Sequence, residues 1–204
     1  MASEIPDALI RAAEQLFAER GSDAVSLREI NAAAGATNAS AIQYHFGDRR
    51  GLVKAVLAKH EPAIEQRRHN LLDRYEAEAT PDMRELAAAL VDPLVAELDV
   101  QGGPGYLQLL ADLYNRPNPT FEPDRADDND SVNRWRRMIE PLLSPEALRL
   151  HRRFDALRFT VSELARRGRM NRKDHSRFAS QLTDLVTALL SAPVSEETRR
   201  LFNE

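Results

Sequence analysis

A chain of 204 residues with 43% hydrophobic and 29% charged side chains is long enough to bury a real core and too apolar to be disordered throughout. It has no cysteine, which excludes disulfides and thiolate metal sites, and no run of about twenty apolar residues that would span a membrane. The formal net charge is −4, so a polyanionic partner could be met only by a local concentration of cations. Met1 to Asp7 carries neither a basic stretch nor an apolar run, so no signal peptide is expected and the cytoplasm is the default location.

The first helix is expected to start at Pro6, a residue favoured at the first helical position, and to stop at Gly21. Leu9, Ala12, Ala13, Leu16 and Phe17 form its apolar stripe. Ser26-Leu27-Arg28-Glu29 reads as a capping box, with Val25 and Ile30 as the matching hydrophobic staple. This second helix runs into Gly35, which suits the left-handed conformation that ends helices. Thr37 or Asn38 can cap a third, short helix whose Ile42 and Phe46 share the buried face, while Asn38, Ser40, Gln43, Tyr44 and His45 present hydrogen-bonding groups elsewhere. Two short helices around a glycine turn, the second with a polar face, are the helix-turn-helix pattern, whose second helix enters the DNA major groove.

The run Ala12-Ala13, Leu16-Phe17, Gly21, Ser26-Leu27-Arg28-Glu29-Ile30, Ala34-Gly35, then Tyr44-His45-Phe46-Gly47 with Arg49 and Leu52, resembles the TetR family of transcriptional regulators over about the first quarter of the chain. Gln43 stands where that family commonly has tyrosine, and the turn between Gly35 and Ile42 is one residue longer than its commonest form. The resemblance implies double-stranded DNA as partner, a homodimer built on the last two long helices, and a small-molecule effector, with no cofactor. It also implies DNA contacts from Arg28, Thr37, Asn38, Ser40, Gln43, Tyr44, His45 and Arg49. Within that set Gln43 is best suited to bidentate pairing with adenine, Tyr44 to a thymine methyl or a phosphate, and His45 to the backbone. Arg49 sits where the family usually has lysine, and with Arg50, Lys54 and Lys59 it gathers positive charge just beyond the recognition helix.

After Gly47-Asp48 a long helical pattern carries Leu52, Val53, Val56 and Leu57, and Pro62 should kink or interrupt it. Met83, Leu86, Leu90, Leu94 and Leu98 follow on a helix that must tolerate Pro93. Gly102-Gly103-Pro104-Gly105 is a turn cluster, since it lacks the Lys-Ser/Thr of a phosphate loop. Residues 115 to 130 should form a long exposed loop. Phe154, Leu157 and Val161, then Phe178, Leu182, Leu185 and Leu189, keep helical spacing on two helices and are the expected dimer seam, because such a pair cannot cover its own apolar face. Tyr106, Tyr114, Trp135, Met138 and Phe159 are the candidates for an effector pocket, with core packing as their competing role.

His45, His60, His69, His151 and His175 are scattered without a metal-binding spacing, and neither a nucleophile elbow nor dinucleotide-binding glycines occur, so no enzyme or metal site is expected. The expected fold is all-α: a helix-turn-helix head over residues 1–48 and a helical effector-binding and dimerisation body over residues 49–204. The expected function is a ligand-responsive repressor on a near-palindromic operator. The competing class is a helical small-molecule or protein-binding module without DNA binding, suggested by the net charge and by a recognition helix with no Lys or Arg.

Overall fold

The computed structural model describes residues 4–36, 38, 40–78, 82–117, 130–170 and 172–201. Among them the protein is all-α, with no strand. The helices are α1 (Glu4–Arg20), α2 (Leu27–Ala33), α3 (Ala41–Phe46), α4 (Arg49–Glu78), α5 (Met83–Val95), α6 (Gly103–Tyr114), α7 (Ser131–Ile139), α8 (Pro145–Arg149), α9 (Arg152–Gly168), α10 (Ser176–Ser191) and α11 (Glu196–Leu201). Short 3₁₀ segments, Ala96–Asp99 and Glu140–Leu142, follow α5 and α7. The expected loop falls mostly on residues 118–129, outside the described residues, and Asp130 at its end is the cap of α7, accepting from the Val132 and Asn133 N–H groups.

The chain forms two compact units, Met1–Ile64 with Ala96–Phe121 and Val161–Lys173, and Glu65–Val95 with Glu122–Thr160 and Asp174–Glu204. In the first unit α1 packs on α2, α3 and α6, burying Leu9, Ala13 and Phe17 completely. Gly105 brings α6 onto α1 so closely that a Cβ there would lie 1.9 Å from the Glu14 carbonyl oxygen. Gly102 caps α6 at φ +85°, so the glycine cluster is the close crossing of these helices. In the second unit α5 is the central element, packed on α7 and α10, with Leu86, Leu90 and Leu94 buried beside Trp135, Leu182 and Val186.

The two internal prolines have different solutions. Pro62 does not end its helix: α4 continues to Glu78, and since Ala58 and Pro62 are both exposed, the carbonyl deprived of a helical donor lies on the solvent side. Pro93 is buried and removes the donor for the Ala89 carbonyl; the buried Arg68 supplies it, donating from Nε at 3.1 Å while Nη1 bonds Ser131 Oγ at 2.8 Å.

Candidate nucleic-acid interface

The head is built from local chemistry. Ser26 Oγ accepts from the Glu29 N–H at 3.3 Å and Glu29 Oε2 accepts from the Ser26 N–H at 2.8 Å, so the capping box is complete. Val25 and Ile30 are both buried as its staple. Hydrogen bonds from the Ser26 hydroxyl and N–H, then from Arg20, hold the Glu29 carboxyl at a pKa of about 2. Gly35 takes the expected left-handed conformation at φ +67°.

The turn is longer than expected and moves the start of the recognition helix. α3 begins at Ala41; Ser40 occupies the cap position without a side-chain cap bond, and Asn38 Oδ1 accepts the Ser40 N–H at 2.9 Å. Asn38 thus caps the turn, one step before the helix, and Thr37 lies outside the described residues. On α3, Ala41 and Ile42 are buried, whereas Phe46 is only half-buried, so the inward face is narrower than the spacing implied. Gln43 and Tyr44 project outward, Tyr44 at 83% exposure, and the Tyr44 and His45 rings meet edge to face with centroids 4.8 Å apart.

Gly51 and Arg49 join α3 to α4, and sequence reasoning missed both roles. A Cβ on Gly51 would fall 1.8 Å from the Phe46 carbonyl oxygen, so only glycine allows this approach. The Asp48 carboxylate accepts the Gly51 N–H at 2.8 Å. Arg49 turns inward: Nη1 donates to the Val25 carbonyl at 2.7 Å and Nη2 to that of Ser22. It clamps the α1–α2 loop to the start of α4. Lys59 is likewise engaged with Glu14. Arg28, Arg50 and Lys54 are exposed.

The loop that Arg49 grips is held from its other side. Asp112 on α6 accepts the Ser22 N–H and, at 2.7 Å, the Gln108 amide, whose oxygen accepts from Arg169. Arg116 pairs with Asp23 at 2.6 Å. The head is therefore packed as one piece with α6 and the end of α9.

The remaining expected sites are dispersed. Tyr106 is buried against His60, and Trp135 is buried with its indole N–H donating to the Leu86 carbonyl at 2.7 Å; both fill core positions. Tyr114, Met138 and Phe159 are half-buried. Of the expected dimer seam, Leu157, Val161 and Leu182 are buried within the chain, while Phe154, Phe178 and Leu189 are half-buried and Leu185 is 46% exposed. No group of three His, Asp or Glu side chains among the described residues could hold a metal ion, and none of the described helices is long and apolar enough to cross a membrane.

A three-helix head whose short, outward-facing third helix follows a capped second helix is a helix-turn-helix DNA-binding domain. Residues 9–56 match the family model of bacterial regulatory proteins, tetR family. The match covers the head and supports a DNA-binding transcriptional regulator of the TetR family. No curated protein matches it closely enough to count as a relative.

Proposed function

We propose that the protein is a ligand-responsive repressor that binds a near-palindromic operator as a homodimer, one α3 in each of two successive major grooves. The observation that carries the base-reading part is the outward Gln43-Tyr44 pair on a helix fixed by the capping box, by the Arg49 clamp and by the Gly51 crossing. Gln43 pairs with adenine N6 and N7, Tyr44 meets a thymine methyl or a phosphate, and His45 positions the backbone with Arg28, Asn38 and Ser40. Arg49 contributes by holding the helix. Selection of binding sites from random DNA tests the assignment. Gln43→Ala should cost about 1–3 kcal/mol at one symmetric base pair and relax preference there. His45→Ala should weaken all sites evenly; an unchanged Gln43→Ala preference removes the base-reading role.

Dimerisation through the outer faces of α9 and α10 is supported by Leu185, Phe178, Phe154 and Leu189, the members of the expected seam that the protomer leaves accessible. For the effector, Met138 borders a groove of about 470 Å³ with Asp73, Glu76, Arg134 and Arg137, where a small polar molecule with an apolar edge would fit. Effector binding would act on DNA through α4, which gives its first half to the head's unit and its second half to the other.

A further inference from the structure

His60 on α4 is 3% exposed and lies between two carboxylates that are each 1% exposed. Its Nε2 is 2.9 Å from Glu14 Oε1 on α1, and its Nδ1 is 2.6 Å from Glu97 Oε2 on the 3₁₀ segment after α5. Lys59 Nζ donates to both Glu14 oxygens, at 2.7 and 2.6 Å. From α6 the Tyr106 ring stacks on the imidazole with centroids 4.7 Å apart. Gly102 at the start of α6 sits so close that a Cβ would be 2.0 Å from Glu14 Oε2. These groups belong to one compact unit, and α1 is the first helix of the DNA-binding head.

Proton counting decides what this arrangement needs. A neutral imidazole has one N–H and one lone pair, so it can donate to only one carboxylate. The bare nitrogen would then face the other carboxylate's lone pairs at hydrogen-bond distance. Both contacts are bonds only when the cluster holds one further proton, and the imidazole, more basic than either carboxylate, is the group that carries it. With His60 and Lys59 positive and Glu14 and Glu97 negative, the four side chains sum to zero. Without that proton they bury a net negative charge, which is costly away from water.

We propose that Glu14, Lys59, His60 and Glu97 form a proton-held latch: the bound proton fixes the head's first helix to α4 and to the 3₁₀ segment, and its loss loosens the head and weakens DNA binding. Burial alone would push the imidazole down, but hydrogen bonds to Glu14 and Glu97 and their charges outweigh it, so the His60 pKa stands above 6.5. A pKa raised in the folded state gives stabilisation that is complete below 6.5 and lost as pH rises through the folded value, so the latch opens on the alkaline side.

Nitrogen-15 spectra of the histidine side chains in the full chain, without DNA, read the proton directly. Expected is a His60 ring protonated on both nitrogens at neutral pH, with a midpoint above 6.5 that falls in Glu97→Gln, a variant that keeps the side chain's size. Fluorescence anisotropy on a duplex taken from the DNA upstream of the gene supplies the second readout. Above the midpoint, wild-type affinity should fall by up to about tenfold per pH unit, the slope of one linked proton. His45→Gln, which alters the recognition helix, should keep that slope, whereas Glu97→Gln and His60→Gln should flatten it. A singly protonated, neutral His60 at neutral pH overturns the latch, and so does an unchanged slope in Glu97→Gln. Absence of binding at any pH speaks against the duplex or the DNA reading, and the spectra then decide the latch alone.

Discussion

Arg49 separates two explanations of how a positive charge at the start of α4 serves DNA binding. If it contacts phosphate, what matters is its charge; if it acts as the structure places it, what matters is a planar fork that reaches two carbonyl oxygens at once, those of Val25 and Ser22. Hydrogen bonds from a charged donor contribute about 1.5–3 kcal/mol each, and because this guanidinium is only half-buried the low end applies, so Arg49→Ala should destabilise the head by about 2–3 kcal/mol. Arg49→Lys is the informative variant: an ammonium can meet a phosphate but cannot bridge both carbonyls, and it should still lose about 1–2 kcal/mol. Denaturant unfolding followed by circular dichroism gives the stability, since the only tryptophan, Trp135, lies in the other unit and would not report on the head. Affinity measured against salt gives the charge role. Arg49→Ala should weaken all sequences evenly and leave the salt slope unchanged, whereas a phosphate contact would lower it by about 0.9. A lysine variant with wild-type stability and affinity, or an alanine variant with a flattened slope, refutes the clamp.

Gly51→Ala would force a Cβ to within 1.8 Å of the Phe46 carbonyl, which the α3–α4 joint can relieve only by opening. We expect a loss of about 3 kcal/mol or more and lost DNA binding with helicity retained, checked by thermal melting and anisotropy. Glu29 has its carboxyl held at about 2, against 4.5 unperturbed, so its contribution to α2 is present above 4.5 and lost as pH falls through about 2. Acid unfolding of Glu29→Gln should lack that part of the pH dependence, and Ser26→Ala should cost about 1 kcal/mol at neutral pH. Light scattering should show monomers for Leu185→Glu with unchanged circular dichroism, whereas Leu182→Glu, buried where α10 packs on α5, should unfold the second unit. A Leu185→Glu dimer would place the interface elsewhere.

The amino-acid sequence is most legible where the physics is local. Ser26 and Glu29 are three residues apart, and their reciprocal bonds depend on nothing outside that turn, so the start of α2 could be read from four letters. The beginning of α3 was misplaced because Asn38 and Ser40 offer competing caps, and the choice was made by a side chain bonding the turn's own backbone. Arg49 looked like a phosphate contact because charge is visible in a sequence, while the carbonyls of Ser22 and Val25, more than twenty residues away, are not. Pro93 was recognisable as a problem, but its solution, Arg68 on another helix, was not. His60 is the clearest case: an isolated histidine in the chain, it meets partners 46 and 37 residues away only through the crossing of α1, α4 and the 3₁₀ segment.

The distribution of charge limits how tightly DNA is held. The recognition helix has no Lys or Arg, Arg49 and Lys59 point into the head, and Arg20 and Arg116 pair with Glu29 and Asp23. Of the cations expected to flank the groove, Arg28, Arg50 and Lys54 are exposed. Three per head and two heads per operator set an upper limit of about six phosphates, hence a salt slope no steeper than about −5. With so small a nonspecific contribution on a protein of net charge −4, one head alone should bind poorly, and discrimination should rest on Gln43 and Tyr44 acting in pairs. Measuring affinity across a series of salt concentrations on an operator and on a half-site checks both parts. A slope near −8 would mean that cations outside this rim reach the DNA, and a half-site bound as tightly as the whole operator would remove the need for a dimer.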